Sequence, residues 1–97
     1  MGKKTLLEQL RNNEQTAINE TYNRNWTLCT MYVKSNNGSD QHAEDNYQDT
    51  WMVFLRNLDI GINIKNDSPA GIDAYLRGIN KNLWLAYIRK RAKADYE

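Results

Sequence analysis

SDQHAEDNYQDTWMVFLRNL, residues 39–58, decides the fold. Ala43, Tyr47, Thr50, Trp51, Phe54, Leu55 and Leu58 recur at intervals of 4, 3, 1, 3, 1 and 3. Side chains so spaced line one side of a helix, so this is an apolar stripe that must be covered by other helices. Ser39 can cap the first turn, and Asp40 meets the positive end of the helix dipole. Off the stripe, Asp45, Gln48, Asp49, Met52 and Arg56 are also three and four apart. They define a second face, turned to solvent or to a partner.

Working outward, residues 14–34 carry Ile18, Tyr22, Trp26, Cys29 and Val33 at intervals of 4, 4, 3 and 4, a second amphipathic helix. Asn12 and Asn13 are candidate caps before it. Asn36, Asn37 and Gly38 close it, with the glycine suited to a left-handed helix terminus. A short helix over 4–10 brings Leu6, Leu7 and Leu10 to one side. Residues 59–71 read as a loop, in which Ile60, Ile62 and Ile64 alternate with Gly61 and Asn63 as a short extended stretch could. Asp67, Ser68 and Pro69 then offer a cap followed by a helix-starting proline, although Gly71 could delay the start. The last helix is expected over 72–93, with Ile72, Tyr75, Leu76, Ile79, Leu83, Ala86 and Tyr87 inward and Trp84 and Ile88 off that stripe. The prediction is an all-α, compact bundle of three main helices plus a short N-terminal helix, one domain over residues 1–97.

Charge is distributed unevenly within a net of only +1. From 38 to 60 there are five acids and one base; from 72 to 93, six bases and one acid. An acidic helix and a basic helix can serve two different partners. No apolar run approaches the length of a membrane span, and the N-terminus lacks a signal-peptide core. The single Cys29 has no disulfide partner in the chain. These features predict a reduced, cytoplasmic protein.

Catalysis finds little support. His42, beside Glu44 and Asp45, is a formal candidate for a base or metal ligand, but its place at a helix start suits capping. Cys29 lies on an apolar face and reads as a small core residue. Asp45 and Asp49 are one turn apart, yet no second helix supplies matching ligands. No glycine-rich phosphate loop is present. No cofactor or metal is expected. The basic helix is more informative. Cations at Arg77, Lys81, Arg89, Lys90 and Arg91 can neutralise phosphates, and Trp84, expected on the surface, can stack on unpaired bases. The competing explanation for the basic end is the helix dipole, which favours cations there.

Two stretches carry a family likeness. AEDNYQDTWMVFL, 43–55, resembles the pattern A-E-D-L-V-Q-D/E-x-F of bacterial sigma factors, and YLRGINKNL, 75–83, resembles W-L-x-x-I-A-x-N, with Arg89, Lys90 and Arg91 similar to the basic close of the same helix. The likeness is to the second conserved region of the extracytoplasmic-function type and covers about residues 5–93. It departs at Asn46 for leucine, Trp51 for phenylalanine, Tyr75 for tryptophan, and Ala86 where an aspartate often stands. The resemblance implies that Asp45, Gln48, Asp49, Met52 and Arg56 dock on the clamp helices of the RNA polymerase β′ subunit. It implies that Lys81, Asn82, Arg89 and Arg91 meet the promoter minus-ten strand, and that Asn63, Lys65 and Asn66 hold a flipped base. Arg77, Trp84 and Lys90 complete the expected DNA-binding set. An anti-sigma protein is a further partner it admits. The family's helix-turn-helix domain has no counterpart in residues 1–97, so promoter DNA is expected to bind weakly.

The function expected is a non-enzymatic transcription initiation factor domain. A helical protein–protein adaptor is the first alternative, with the basic end merely solvated. A small metal-dependent enzyme using His42, Glu44, Asp45 and Asp49 is the second.

Overall fold

A computed structural model describes residues 4–61, 64 and 66–96. Four helices follow one another: α1 Leu6–Arg11, α2 Gln15–Ser35, α3 Asp40–Asp59 and α4 Pro69–Tyr96. There is no strand among the described residues. The three long helices pack on one another pairwise, and α1 lies against α2 and α3. This is the all-α bundle expected.

The stripe on α3 is buried as its spacing requires: Ala43, Tyr47, Thr50, Phe54 and Leu58 are buried, and Trp51 and Leu55 half-buried. Its start is fixed by a reciprocal cap. His42 N donates to Ser39 Oγ at 3.0 Å, and Ser39 N donates to His42 Nδ1 at 3.1 Å. Histidine here fills the role that glutamate or glutamine usually plays in a capping box.

On α2 the deepest positions are Ala17, Thr21, Asn25, Cys29, Thr30 and Val33. Ile18, Tyr22 and Trp26 are half-buried along the margin. There, Tyr22 and Trp26 form an aromatic cluster with Tyr47 and Trp51. Tyr47 Oη donates to the Tyr22 carbonyl at 2.6 Å. Two expected caps differ. Glu14, not Asn12 or Asn13, precedes α2 and gives no side-chain cap; Asn13 instead takes the left-handed conformation at φ 57°. At the other end the left-handed residue is Asn37, φ 71°, while Gly38 N donates back to the Val33 carbonyl at 2.9 Å. That bond is the long closure of a Schellman turn. Gly38 is needed for space: a Cβ there would collide with Val33 and press on the Trp84 ring.

α4 begins at Pro69 rather than 72. Gly71 N donates to Ser68 Oγ, and Ser68 N to Asn66 Oδ1, both at 3.1 Å. Gly71 does not delay the helix; it lets Asn66 fold against the first turn, where any Cβ would clash. The extended stretch expected around Ile62 and Asn63 lies outside the described residues, although Ile64 is buried in the core. Further along, the inward face is Ile72, Leu76, Asn80 and Trp84, with Ile88 half-buried behind them. The expected stripe through Leu83, Ala86 and Tyr87 is corrected: Leu83 is half-buried, and Ala86 and Tyr87 are exposed. The reason is Asn80. A buried amide continues the face at a spacing of four, where a count of apolar residues alone drifts to its neighbours.

That amide belongs to a polar core between the helices. Asn80 Nδ2 donates to the Cys29 carbonyl of α2 at 3.0 Å. Its Oδ1 accepts from Asn46 Nδ2 at 2.9 Å and from Thr50 Oγ1 at 3.2 Å, both on α3. Asn46 Nδ2 also reaches the Asn80 carbonyl at 3.0 Å. Every member is buried and hydrogen-bonded, which fixes the relative placement of all three helices.

Candidate functional site

Asp45, Gln48, Asp49, Met52 and Arg56 are all exposed along α3. Phe54 and Tyr47 hold the opposite side of the helix in the core, so these five must face outward. Met52 is 69% exposed. Gln41 Nε2 donates to one Asp45 oxygen at 2.9 Å, one turn away. Two hollows run along the seam of α3 and α4. One, of about 290 Å³, is walled by His42, Asp45, Asp49, Leu83 and Tyr87; the other, of about 450 Å³, by Asp49, Met52, Val53, Arg56 and Leu83. They share Asp49 and Leu83, so they adjoin. An apolar floor rimmed by carboxylates suits a helix that presents apolar side chains between cations. Leu83 and Tyr87 bring α4 into this surface. Sequence reasoning assigned both to the core, because their spacing fits an inward face when Asn80 is discounted.

On α4, Arg77, Lys81, Asn82, Arg89, Lys90 and Arg91 are exposed. Among the described residues, Lys81, Arg89, Lys90 and Arg91 join no ion pair with an acid. Arg77 Nε makes a long bond, 3.3 Å, to the Asp73 carbonyl. The one acid of this helix's first half is already matched. Asp73 accepts from Arg24 Nε and Nη2, both at 2.8 Å, and from Asn25 Nδ2 at 2.9 Å. Partial burial pushes the Asp73 carboxyl up, but the bonds from Arg24 and Asn25 and the guanidinium charge outweigh it and hold it below its ordinary value. The same carboxylate raises Arg24.

Trp84 is a correction. It is 3% exposed, and its indole Nε1 donates to the Asn36 carbonyl at 3.0 Å. It packs with Val33 and Ala43 and cannot stack on a base. Among the described residues, the exposed aromatic at that end is Tyr87, at 42%. Asn66 is exposed, but its side-chain oxygen is engaged by Ser68 N and Ser68 Oγ. Asn63 and Lys65 lie outside the described residues.

His42 is a capping residue with both ring nitrogens engaged. Nδ1 accepts from Ser39, so in the neutral ring the hydrogen sits on Nε2, which faces Tyr87 Oη at 3.4 Å. Cys29 is 1% exposed, and burial pushes its thiol up to about 12. Burial likewise raises the Tyr47 phenol. Both are core groups.

Compared with protein-family models, with curated proteins and with solved structures, the chain matches none. No helix among the described residues is long and apolar enough to cross a membrane.

Proposed function

We propose that this chain is the polymerase- and promoter-binding domain of an alternative bacterial sigma factor. It would dock on the β′ clamp helices through α3 and hold the unpaired non-template strand of the minus-ten element along α4. The supporting observation is a segregation of surfaces. Asp45, Gln48, Asp49, Met52 and Arg56, the residues that the motif likeness singles out, are exposed together on α3, while Lys81, Arg89, Lys90 and Arg91 are exposed on α4 without acidic partners among the described residues. The action is binding alone. The acidic groove would receive a basic, apolar-studded helix, and the cations would neutralise phosphates of a strand whose bases are already unstacked.

The Asn46–Asn80 bond bears on the likeness. Asn46 stands where the first pattern has leucine, and Asn80 where the second has alanine. The two departures touch each other, so the apolar contact that the patterns imply is here a hydrogen-bonded pair.

Co-purification with core RNA polymerase is the test. Asp49→Lys should abolish capture while the thermal melt is unchanged, because Asp49 is exposed and off the core stripe. Retained capture by that variant would remove the docking assignment. An adaptor function is the second reading, favoured by Leu28 and Met31, which are 54% and 52% exposed on α2. A salt series with a single-stranded, minus-ten-like oligonucleotide separates the two: the sigma reading requires affinity that falls as salt rises, the adaptor no binding at all.

A further inference from the structure

The geometry points to a stacking site for one unpaired nucleobase on Tyr87, with Arg91 as the contact for its phosphate. It rests on the nucleic-acid half of the function proposed above and names the side chain that does the stacking.

Tyr87 is a large aromatic that the fold leaves 42% exposed yet packs against two other rings. Its ring lies 5.1 Å from that of Trp84 at an interplanar angle of 22°, a stacked pair. The His42 ring lies 5.5 Å away on another side, and His42 Nε2 reaches the hydroxyl at 3.4 Å. Trp84 is anchored in turn by its bond to Asn36. A ring fixed in this way loses little freedom when a second flat group settles on it, which is how a stacking platform gains affinity.

The space beside it has a fitting size and charge. Asn37, Trp84, Tyr87, Ile88, Arg91 and Ala92 enclose a concavity of about 350 Å³, enough for one base. Among the described residues, Arg91 is its only charged wall, one helical turn beyond Tyr87, and no acid lines it. The hollow that Tyr87 also borders, toward α3, is walled by Asp45 and Asp49 and would repel a phosphate. A nucleotide is therefore admitted from one side only. The exposed Arg89 and Lys90 continue the cationic path at the same helix end. A paired base cannot present its face to a side chain, so the ligand class is single-stranded nucleic acid.

The test is fluorescence anisotropy of the full chain with a labelled 12-nucleotide single strand of minus-ten-like sequence. Tyr87→Ala should weaken binding between about 5-fold and 150-fold, the range for loss of one base–aromatic stack. Tyr87→Phe should stay within about twofold of the parent, since the stacking face is kept. Neither should change the salt slope, whereas Arg91→Ala should make it shallower by about 0.7, one phosphate contact. A scan of single abasic sites along the strand gives a check free of any folding effect. One position should cost the parent protein as much as Tyr87→Ala does, and cost the Tyr87→Ala variant nothing further. Equal binding by Tyr87→Ala and parent, or an equal loss in Tyr87→Phe, overturns the site while leaving the broader reading intact. Absence of any single-strand binding by the parent at low salt overturns both.

Discussion

Replacing Asn46 by leucine and Asn80 by alanine, singly and together, measures how the bundle is held beneath its binding surfaces. Asn80→Ala removes two side-chain hydrogen bonds, to the Cys29 carbonyl and Asn46 Nδ2, and the longer, 3.2 Å contact of the Thr50 hydroxyl, whose one hydrogen lies nearer the carbonyl of residue 46. The partners are not orphaned. Asn46 Nδ2 still reaches the carbonyl of residue 80, and Thr50 Oγ1 still donates to the carbonyl of residue 46 at 2.7 Å. The cost expected for two neutral bonds is therefore about 2 kcal/mol. Asn46→Leu removes the amide that donates to the Asn80 side-chain and backbone oxygens and sets a larger apolar group against them, again about 2 kcal/mol. The double variant exchanges a buried amide pair for an apolar pair of similar summed volume, and that exchange costs about 1 kcal/mol or less. The cycle should thus show a coupling of about 3 kcal/mol, read from urea midpoints at constant m-value or as melting points differing by about 4–8 °C per kcal/mol. Additive losses, with the double variant near 4 kcal/mol, would mean that the two amides do not work as a unit, and the account of the shared core would fail.

Phe54→Ala should destabilise by about 3–5 kcal/mol, since Phe54 is fully buried between Trp51 and Tyr75; calorimetry giving less than half of that would displace it from the core. Thr21 is fully buried with no partner for its hydroxyl among the described residues, so Thr21→Val should raise stability by about 1 kcal/mol, and a loss in urea titration would reveal a bond at that oxygen. The Asp73 carboxyl is held below its ordinary 3.8, so its stabilisation is complete above that value and disappears as pH falls through the lower, folded value. Acid unfolding followed by circular dichroism should accordingly show a shallower decline in Asp73→Asn than in the parent; parallel curves would assign the acid sensitivity to other groups.

The sequence was most legible where apolar residues alone define a face. On α3 the stripe and the polar side both fall where the spacing puts them, and Asp45, Asp49 and Met52 are exposed as expected. It was least legible where polar residues are buried. Thr21 and Asn25 occupy the deepest line of α2, so the aromatic stripe beside them looked central when it is marginal. On α4 the buried Asn80 interrupts the apolar count, and a rotation of one residue exchanges Trp84 for Tyr87 as the exposed ring. A residue's hydrogen-bonding partners come from other helices, so a local pattern cannot register that an amide will be satisfied inside. The C-terminal cap of α2 was misplaced for a related reason: asparagine and glycine both tolerate the left-handed turn, and only the crowding of Val33 and Trp84 assigns space to Gly38 and the turn to Asn37.

The sulfhydryl at position 29 gives the protein an internal clock. It sits at the meeting point of the three long helices, its own backbone oxygen bound by Asn80, and it is shielded from water. An alkylating reagent attacks only an accessible, ionised sulfur, so labelling at neutral pH must await separation of those helices. The speed of modification in mild denaturant would then record how often the whole assembly opens, with no dye or engineered reporter added.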